Sequence, residues 1–246
     1  LTRSSAASDV YKRQMTFFPK LRPMVYTLTC NVFGEQTYVV DHGDGQLTIV
    51  DPGMSNREEQ VAFQQLCSDL GGRPSQVILT HGHLDHVMGC LWLKDTYGLL
   101  PRMHPLDRDT YARGPIAAQM YGVSMDPLPD VSLDLDTGKT VLCGQAQLEV
   151  RWVPGHAPGH VAFICHDHGW VIGGDVLFQG SVGRTDLPGG HAPDLVRSIE
   201  KEMYTLDDDM VVWPGHGGPT TIGAERKSNP FVNGYGLGLL QREAER

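Results

Sequence analysis

The sequence contains little cysteine, and its cysteines are widely scattered. There are five among 246 residues, and none belongs to a C-x-x-C pair. An odd number of separated cysteines does not match a disulfide framework, and the absence of paired cysteines disfavours a Cys-rich structural zinc site. No segment has the apolar core of a secretory signal. We therefore expect a cytoplasmic protein whose cysteines are reduced.

Long apolar runs and an excess of basic charge are also missing. No stretch approaches the roughly 20 apolar residues that a membrane-spanning helix needs, so we expect no membrane partner. Lysine and arginine total 20 against 29 aspartates and glutamates, which gives a formal net charge of −9. This balance lacks the basic footprint of nucleic-acid-binding proteins, so we expect no nucleic-acid partner either.

The first residues differ in character from the rest of the chain. Residues 1–14 read LTRSSAASDVYKRQ, and the first methionine is Met15. We expect residues 1–14 to be a non-native or disordered N-terminal extension. Residues 15–246 contain no low-complexity linker and no charge run, so we expect them to form a single domain.

Short β-rich runs alternate with helical patterns along the chain. One helix is expected to start at Ser55 or Asn56 as N-cap, and a second to begin near Asp85. The apolar face of the first helix is predicted to comprise Val61, Phe63, Leu66 and Leu70. A later helix is predicted over 192–206. The predicted strands lie at 25–30, 37–41, 47–51, 76–80, 99–104, 147–153, 160–165, 170–175 and 210–213. Two similar halves, each ending in an outer helix, favour an α/β (α+β) fold in which two sheets pack face to face under helices.

A cluster of metal-binding residue types follows the apolar run QVIL. The segment THGHLDH at 80–86 contains His81, His83, Asp85 and His86. Imidazole nitrogen with carboxylate oxygen suits zinc, iron or manganese better than calcium. In an extended loop His81 and His83 point the same way, whereas Asp85 and His86 point elsewhere. One metal would hardly take all four side chains, but two neighbouring metals could share them.

Further donors stand at equivalent places in the second half. His156 follows the strand-like run QLEVRWV, Asp175 ends VIGGD, and His216 follows VVWPG. Each donor ends an apolar strand beside Gly or Pro, where loops from several strands converge. Because glycine lets backbone pack closely around a rigid site, this recurrence predicts a two-metal centre.

The motifs THGHLDH, PGHAPGH, GGDVLF and PGHGG, preceded by IVDPG, together resemble the metallo-β-lactamase superfamily. The resemblance implies a four-layer αββα sandwich of two mixed β-sheets, with metals at one edge between the sheets. It implies a buried Asp51 that orders the loops without binding metal. The implied ligands are His81, His83 and His156 for the first metal, Asp85, His86 and His216 for the second, and Asp175 as the bridge.

Comparison with other branches of the superfamily indicates which branch the chain resembles. Three branches differ from this sequence. True metallo-β-lactamases usually carry Cys in place of Asp175, flavodiiron proteins carry Glu in place of His83, and the nucleases add an inserted domain or an RNA-binding arm. The segments 174–190 and 225–232 resemble compact bacterial members of the glyoxalase II-like branch. Those members lack the C-terminal helical domain that binds glutathione in full-length glyoxalase II.

The glyoxalase II-like resemblance implies a metal-dependent hydrolase of thioesters such as S-lactoylglutathione. A metal-bridging hydroxide would attack the thioester, with Asp85 and Asp175 as the catalytic residues that hold it. The expected cofactors are two divalent metals, Zn²⁺ first, with iron or manganese as alternatives. Arg184 is expected either to bind a substrate carboxylate or to pair with Asp186. Asn229 is expected either to line the site or to cap a turn.

Two other functions stay open from the sequence. Persulfide dioxygenases of the same superfamily retain these motifs and bind one iron through residues matching His81, His156 and Asp175. A metal-stabilised binding module without turnover is the third interpretation. Segment 105–130 is predicted to cover the mouth of the site and to shape specificity, on the basis of its position and length.

Overall fold

The computed structural model describes residues 24–233, and the predicted N-terminal extension at 1–14 lies outside that range. The strands are β1 Met24–Cys30, β2 Glu35–Asp41, β3 Gln46–Val50, β4 Arg73–Ile78, β5 Pro101–Arg102, β6 Thr140–Cys143, β7 Ala146–Trp152, β8 Val161–Cys165, β9 Trp170–Gly174, β10 Leu177–Phe178, β11 Ser181–Val182, β12 Val211–Pro214 and β13 Thr220–Thr221. The α-helices are α1 Arg57–Asp69, α2 Cys90–Tyr97, α3 Arg108–Ala112, α4 Gly114–Tyr121, α5 Ala192–Ser198, α6 Ile222–Ser228 and α7 Pro230–Asn233. Within the described residues, no helix has the length and apolar character needed to cross a membrane.

Two mixed sheets form the body of the fold. The first has the order β1-β2-β3-β4-β5, and the second has the order β13-β12-β9-β8-β7-β6. In the first sheet β1 to β3 pair antiparallel, whereas β3, β4 and β5 run parallel. In the second sheet β12 and β9 are parallel and the other pairs are antiparallel. A separate hairpin joins β10 to β11.

The inner faces of the two sheets make one apolar core. Tyr38, Val50 and Ile78 of the first sheet lie in the same buried cluster as Phe163 and Ile172 of the second. Strand β2 is buried from Glu35 to Val40, as expected for a strand covered on both faces.

Helices cover both outer faces. Phe63 and Leu66 of α1 pack with Ile49 on the first sheet, and Leu195 of α5 packs with Val171 on the second. The order of layers is therefore helix, sheet, sheet, helix, which confirms the predicted four-layer architecture.

The first predicted helix, α1, has one of the two expected N-cap residues, but its buried face differs from the predicted one. Asn56 is the N-cap, and its side chain accepts a hydrogen bond from the Glu59 amide. Val61, however, is 51% exposed, so its predicted place on the buried face is wrong. The buried residues are Phe63, Leu66 and Cys67. These three follow the spacing of one helical face, whereas Val61 stands two residues before Phe63 and points to another side.

The helix predicted near Asp85 begins later. A 3₁₀ turn at Leu84–His86 precedes it, and α2 starts at Cys90. The Gly89 amide donates to the Pro52 carbonyl, which ties this turn to the loop after β3. The short 3₁₀ turn leaves the side chains of Asp85 and His86 beside the other donors instead of placing them on a helix surface.

Candidate metal centre

The predicted donors converge at one edge of the sandwich. Loops that follow β4, β7, β9 and β12 carry them, because the ends of these strands meet at the same edge between the sheets. Among the described residues three groups of potential ligands form, and within each group the ligand atoms lie within 4.8 Å of one another; the third group, Asp51, His81 and His86, takes one histidine from each of the other two. The first group is His81, His83 and His156, and the second is Asp85, His86 and His216.

Asp175 stands between the first two groups. Its Oδ2 lies 3.5 Å from His156 Nε2 and 3.5 Å from His216 Nε2. Its Oδ1 lies 3.5 Å from His86 Nε2. One carboxylate therefore faces donors of both groups, which is the position that a bridging ligand requires.

Backbone and carboxylate partners orient two of the imidazoles. His156 Nδ1 lies 2.7 Å from the Arg184 carbonyl oxygen and donates to it. His86 Nδ1 lies 3.1 Å from Asp51 Oδ2 and donates to it. Each bond fixes the tautomer in which Nε2 keeps its lone pair, the form that binds metal.

The tautomer of His81 follows from the same network. The Thr80 hydroxyl donates to Asp51 Oδ2 at 2.6 Å, and the Thr80 amide donates to Asp51 Oδ1 at 2.7 Å. A hydroxyl has one proton, so the Thr80 oxygen must accept from His81 Nδ1, which lies 3.0 Å away. His81 Nε2 therefore also carries a lone pair.

Among the buried candidate ligand atoms of the described residues, three have no hydrogen-bond partner. They are His81 Nε2, His86 Nε2 and Asp175 Oδ1, and all three are buried. Buried polar atoms are normally satisfied, and a metal ion satisfies several lone pairs at once. The residues present therefore fit metal binding, both by geometry and by the mixture of imidazole and carboxylate donors.

Burial and neighbouring charges set the protonation of the donors. Burial lowers the pKa of His81 far below its usual value and that of His83 to about 3, so both imidazoles are neutral at pH 7. Burial alone would lower the pKa of His86, but Asp85 and Asp175 outweigh it and raise that pKa. A proton therefore competes with metal at His86. Burial opposes ionisation of Asp175, yet His86 and His156 hold its pKa well below the usual range.

Glycine permits a close approach at Asp175. A Cβ atom at Gly215 would lie 2.1 Å from Asp175 Oδ1, and one at Gly183 would lie 1.9 Å from the Asp175 carbonyl oxygen. No side chain fits at either distance. The glycines of PGHGG and SVGRT therefore serve the packing role that the sequence predicts.

Three further residues support the candidate ligands. Asp107 is fully buried and accepts hydrogen bonds from the Gly82 and Gly159 amides, so it joins the two histidine-bearing loops. His160 Nε2 accepts a hydrogen bond from the Asp175 amide at 3.0 Å, which makes it a structural partner rather than a member of either donor group. For Asp107, inside the polar segment 105–130, no sequence signal points to this role.

Glu35 is the third. It is fully buried, accepts a hydrogen bond from Thr37 Oγ1 at 2.9 Å, and lies 3.9 Å from His86 Nδ1. Burial raises the pKa of Glu35 well above its usual value. In the sequence, Glu35 stands two residues before the strand predicted at 37–41, so only its buried position in the structure reveals it.

The two predicted substrate contacts have different surroundings. Arg184 lines the cleft beside the donors, but its guanidinium makes a bidentate pair with Asp186 at 2.6 and 2.7 Å. Asn229 is fully buried, and its side chain donates to the Ser181 carbonyl and to Glu225. Asn229 is absent from the cleft lining, and its contacts hold the β10–β11 hairpin against α6.

Comparisons with known proteins cover most of the chain. The model of the metallo-beta-lactamase superfamily matches residues 30–216. The hydroxyacylglutathione hydrolase GloC of Haemophilus influenzae is 38% identical over 188 residues, 75% of this chain and 86% of GloC. The structure of TTHA1623 in a di-iron-bound form is 36% identical, with a TM-score of 0.76 over 84% of this chain and 100% of that one. The structure of the B3 metallo-beta-lactamase BLEG-1 is 30% identical, with a TM-score of 0.76 over 86% of this chain and 100% of that one.

Proposed function

The chain belongs to the metallo-β-lactamase superfamily, and from this premise we propose that it hydrolyses thioesters of the S-lactoylglutathione type at a centre of two divalent metals. One observation carries the proposal: two groups of imidazole and carboxylate donors face each other across Asp175, which lies 3.5 Å from donors of both. Hydrolases commonly use paired metals held in this way.

The seven donors are proposed as the metal ligands. The first ion would be held by His81, His83 and His156, the second by Asp85, His86 and His216, with Asp175 shared. When bound, two such ions would supply Lewis acidity for a carbonyl oxygen and would lower the pKa of coordinated water towards neutrality. Zinc is the proposed metal, and iron is the alternative that the di-iron form of TTHA1623 supports.

The chain's own residues prepare the donors for this role. Asp51 contacts Thr80 and His86 together, so it orients two histidine-bearing positions without belonging to the bridge. The His160 ring holds the Asp175 amide, which keeps the shared carboxylate in place. Such outer contacts matter because they fix the tautomer and direction of each ligand.

The cleft also favours a substrate with a good leaving group. Besides the donor residues, the part of its lining that residues 24–233 form contains only Arg113, Tyr121 and Arg184 as titratable side chains. General acids for an amine leaving group are most often histidine or carboxyl side chains, and these three residues include neither. A thiolate leaves without such help, and thioesters therefore match the cleft better than amides.

The name of one relative supports the same choice. GloC is named a hydroxyacylglutathione hydrolase, and S-lactoylglutathione is accordingly the first substrate to test. We also propose a cytoplasmic location, because the five cysteines are buried and unpaired, as is usual in a reducing compartment.

Elemental analysis of freshly purified protein, followed by a substrate panel, tests the proposal. We expect two metals per chain and hydrolysis of S-lactoylglutathione that a chelator abolishes. One iron per chain with oxygen uptake on glutathione persulfide would instead establish the mononuclear dioxygenase. Because BLEG-1 is named a metallo-beta-lactamase, the panel includes a chromogenic cephalosporin, and faster turnover of that amide than of any thioester would overturn the proposal.

A further inference from the structure

The cleft beside the donors is mainly apolar. Its volume is about 730 Å³, which lies within the range of about 300–1,000 Å³ that is usual for small-molecule sites. Five donors, including Asp175, form part of its lining. Much of the remaining lining is apolar side chains: Phe33, Ile116, Met120, Tyr121, Phe178 and Val182.

Helix α4 presents apolar side chains to this cleft and to solvent. Ile116 is 60% exposed and Met120 is 83% exposed. They are four residues apart and share one helical face, and both line the cleft. The other side of α4 is buried, since Ala118 packs against Leu84 and Met88. Exposed apolar side chains grouped beside a cleft are typical of a binding surface.

Apart from the donors, the described residues of the same lining include two charged side chains, Arg113 and Arg184. Arg184 is already paired with Asp186 through two hydrogen bonds, so little of its charge is free for a ligand. Arg113 is exposed and forms no ion pair within residues 24–233. The described part of the cleft thus offers one unpaired cation, Arg113, and a large apolar surface. A small hydroxylated acyl group would leave most of that apolar surface uncovered.

From these observations we propose that the preferred substrates are thioesters with an extended apolar acyl group, which lies between α4 and the β10–β11 hairpin. This inference rests on the proposed thioester hydrolysis and specifies its substrate class. The thioester carbonyl would face the donors, while the acyl chain would cover Ile116, Met120 and Phe178. Arg113 would face an anionic group of the substrate at the rim.

Two matched series of compounds on one thiol, N-acetylcysteamine, test the inference. The first series consists of acetyl, butanoyl, hexanoyl and octanoyl thioesters, and the readout is kcat/KM. The second consists of the corresponding thioethers, in which a methylene replaces the carbonyl, and the readout is Kd by calorimetry. Because each buried methylene contributes up to about a fourfold gain, we expect kcat/KM to rise by about 100-fold or more from acetyl to octanoyl, with a parallel fall in Kd.

Surface variants locate the acyl chain. In Ile116→Asn and Met120→Gln, kcat/KM should fall most for the octanoyl thioester, and Kd should rise most for the octyl thioether. Both quantities should therefore depend less strongly on chain length than in the wild type. The control is Leu142→Gln, since Leu142 is 61% exposed on β6 and lies outside the cleft lining. Its dependence on chain length should equal that of the wild type. All three positions are exposed, so folding should survive each change.

The two series separate failure of this inference from failure of the proposed function. Hydrolysis of thioesters with no gain in either series as the chain lengthens would overturn the apolar acyl site and leave thioester hydrolysis standing. Tighter thioether binding with chain length, but no hydrolysis of any thioester by metal-loaded protein, would support the apolar site and overturn the hydrolase. If kcat/KM and affinity rise with acyl length equally in the wild type, Ile116→Asn and Met120→Gln, the acyl group binds elsewhere and the inference is overturned.

Discussion

The donor groups differ from the cleft wall, by which we mean the apolar side of the cleft around Ile116 and Met120, in how their side chains are held. Each oriented imidazole among the donors has a second polar partner, as His156 has in the Arg184 carbonyl and His86 in Asp51. On the wall, Ile116 and Met120 are exposed and apolar. Positions that must hold an ion need fixed lone pairs, whereas positions that accept an apolar group need only surface of the right character. We therefore expect metal binding to be sensitive to the loss of single atoms, and substrate preference to depend on an area of the cleft.

The largest expected effect is at the shared carboxylate. Asp175→Asn removes the negative charge that faces both donor groups, and should lower kcat/KM for a thioester by about 10³-fold or more. Metal content should fall in the same variant. Elemental analysis and steady-state kinetics measure the two effects.

Asp126→Asn is the matched control for Asp175→Asn, because Asp126 is exposed on a loop outside the cleft lining. It should retain full activity and metal content. Full activity of Asp175→Asn would contradict a bridging role.

A smaller effect is expected at the residue that joins the histidine loops. Asp107→Ala leaves the buried Gly82 and Gly159 amides without their acceptor, which should lower the free energy of unfolding by about 2–4 kcal/mol. Urea denaturation at fixed metal concentration measures this change. The exposed neighbour Asp109, changed to Ala, should alter stability by less than about 0.5 kcal/mol. Equal stability of the two variants would mean that Asp107 does not carry the contact between the loops.

The contacts of Asp51 predict a further, moderate effect. Asp51→Asn retains the shape of the side chain but cannot accept from Thr80 and His86 as the carboxylate does. Losing an outer partner of this kind weakens metal binding by about 10–100-fold. Competition with a metal chelator measures the change, with the exposed Asp44→Asn as control. Unchanged metal retention would show that the His86 tautomer does not depend on Asp51.

The smallest expected effect lies on the cleft wall. Arg113→Ala should raise KM for an anionic thioester by no more than about fivefold, because exposed ion pairs contribute little, and should leave kcat unchanged. Added salt should reduce the difference. A neutral thioester of the same acyl group serves as the reference substrate. If KM for the neutral compound rises equally, Arg113 contributes through packing instead of charge.

The convergence of the candidate ligands was predictable because the segments that carry them follow apolar strands. His81, Asp175 and His216 follow runs whose pattern indicates buried strands, and the parallel strands of each sheet end at one edge. The same reasoning failed for Val61, where an irregular apolar spacing hid which side of the helix is buried. It also failed for the helix start near Asp85, because a 3₁₀ turn and an α-helix share the same local pattern.

The sequence by itself determined which residues are candidate metal ligands, the order of the longer strands along the chain and the two-sheet architecture, because these depend on residue type, motif and local periodicity. Only the tertiary structure decided which polar residues support the donors and which line the cleft. Asp107 acts through backbone amides 25 and 52 residues away, and Asn229 holds Ser181 across 48 residues. Contacts between residues so far apart in the chain leave no periodic mark in the sequence, since they arise when separate elements pack together.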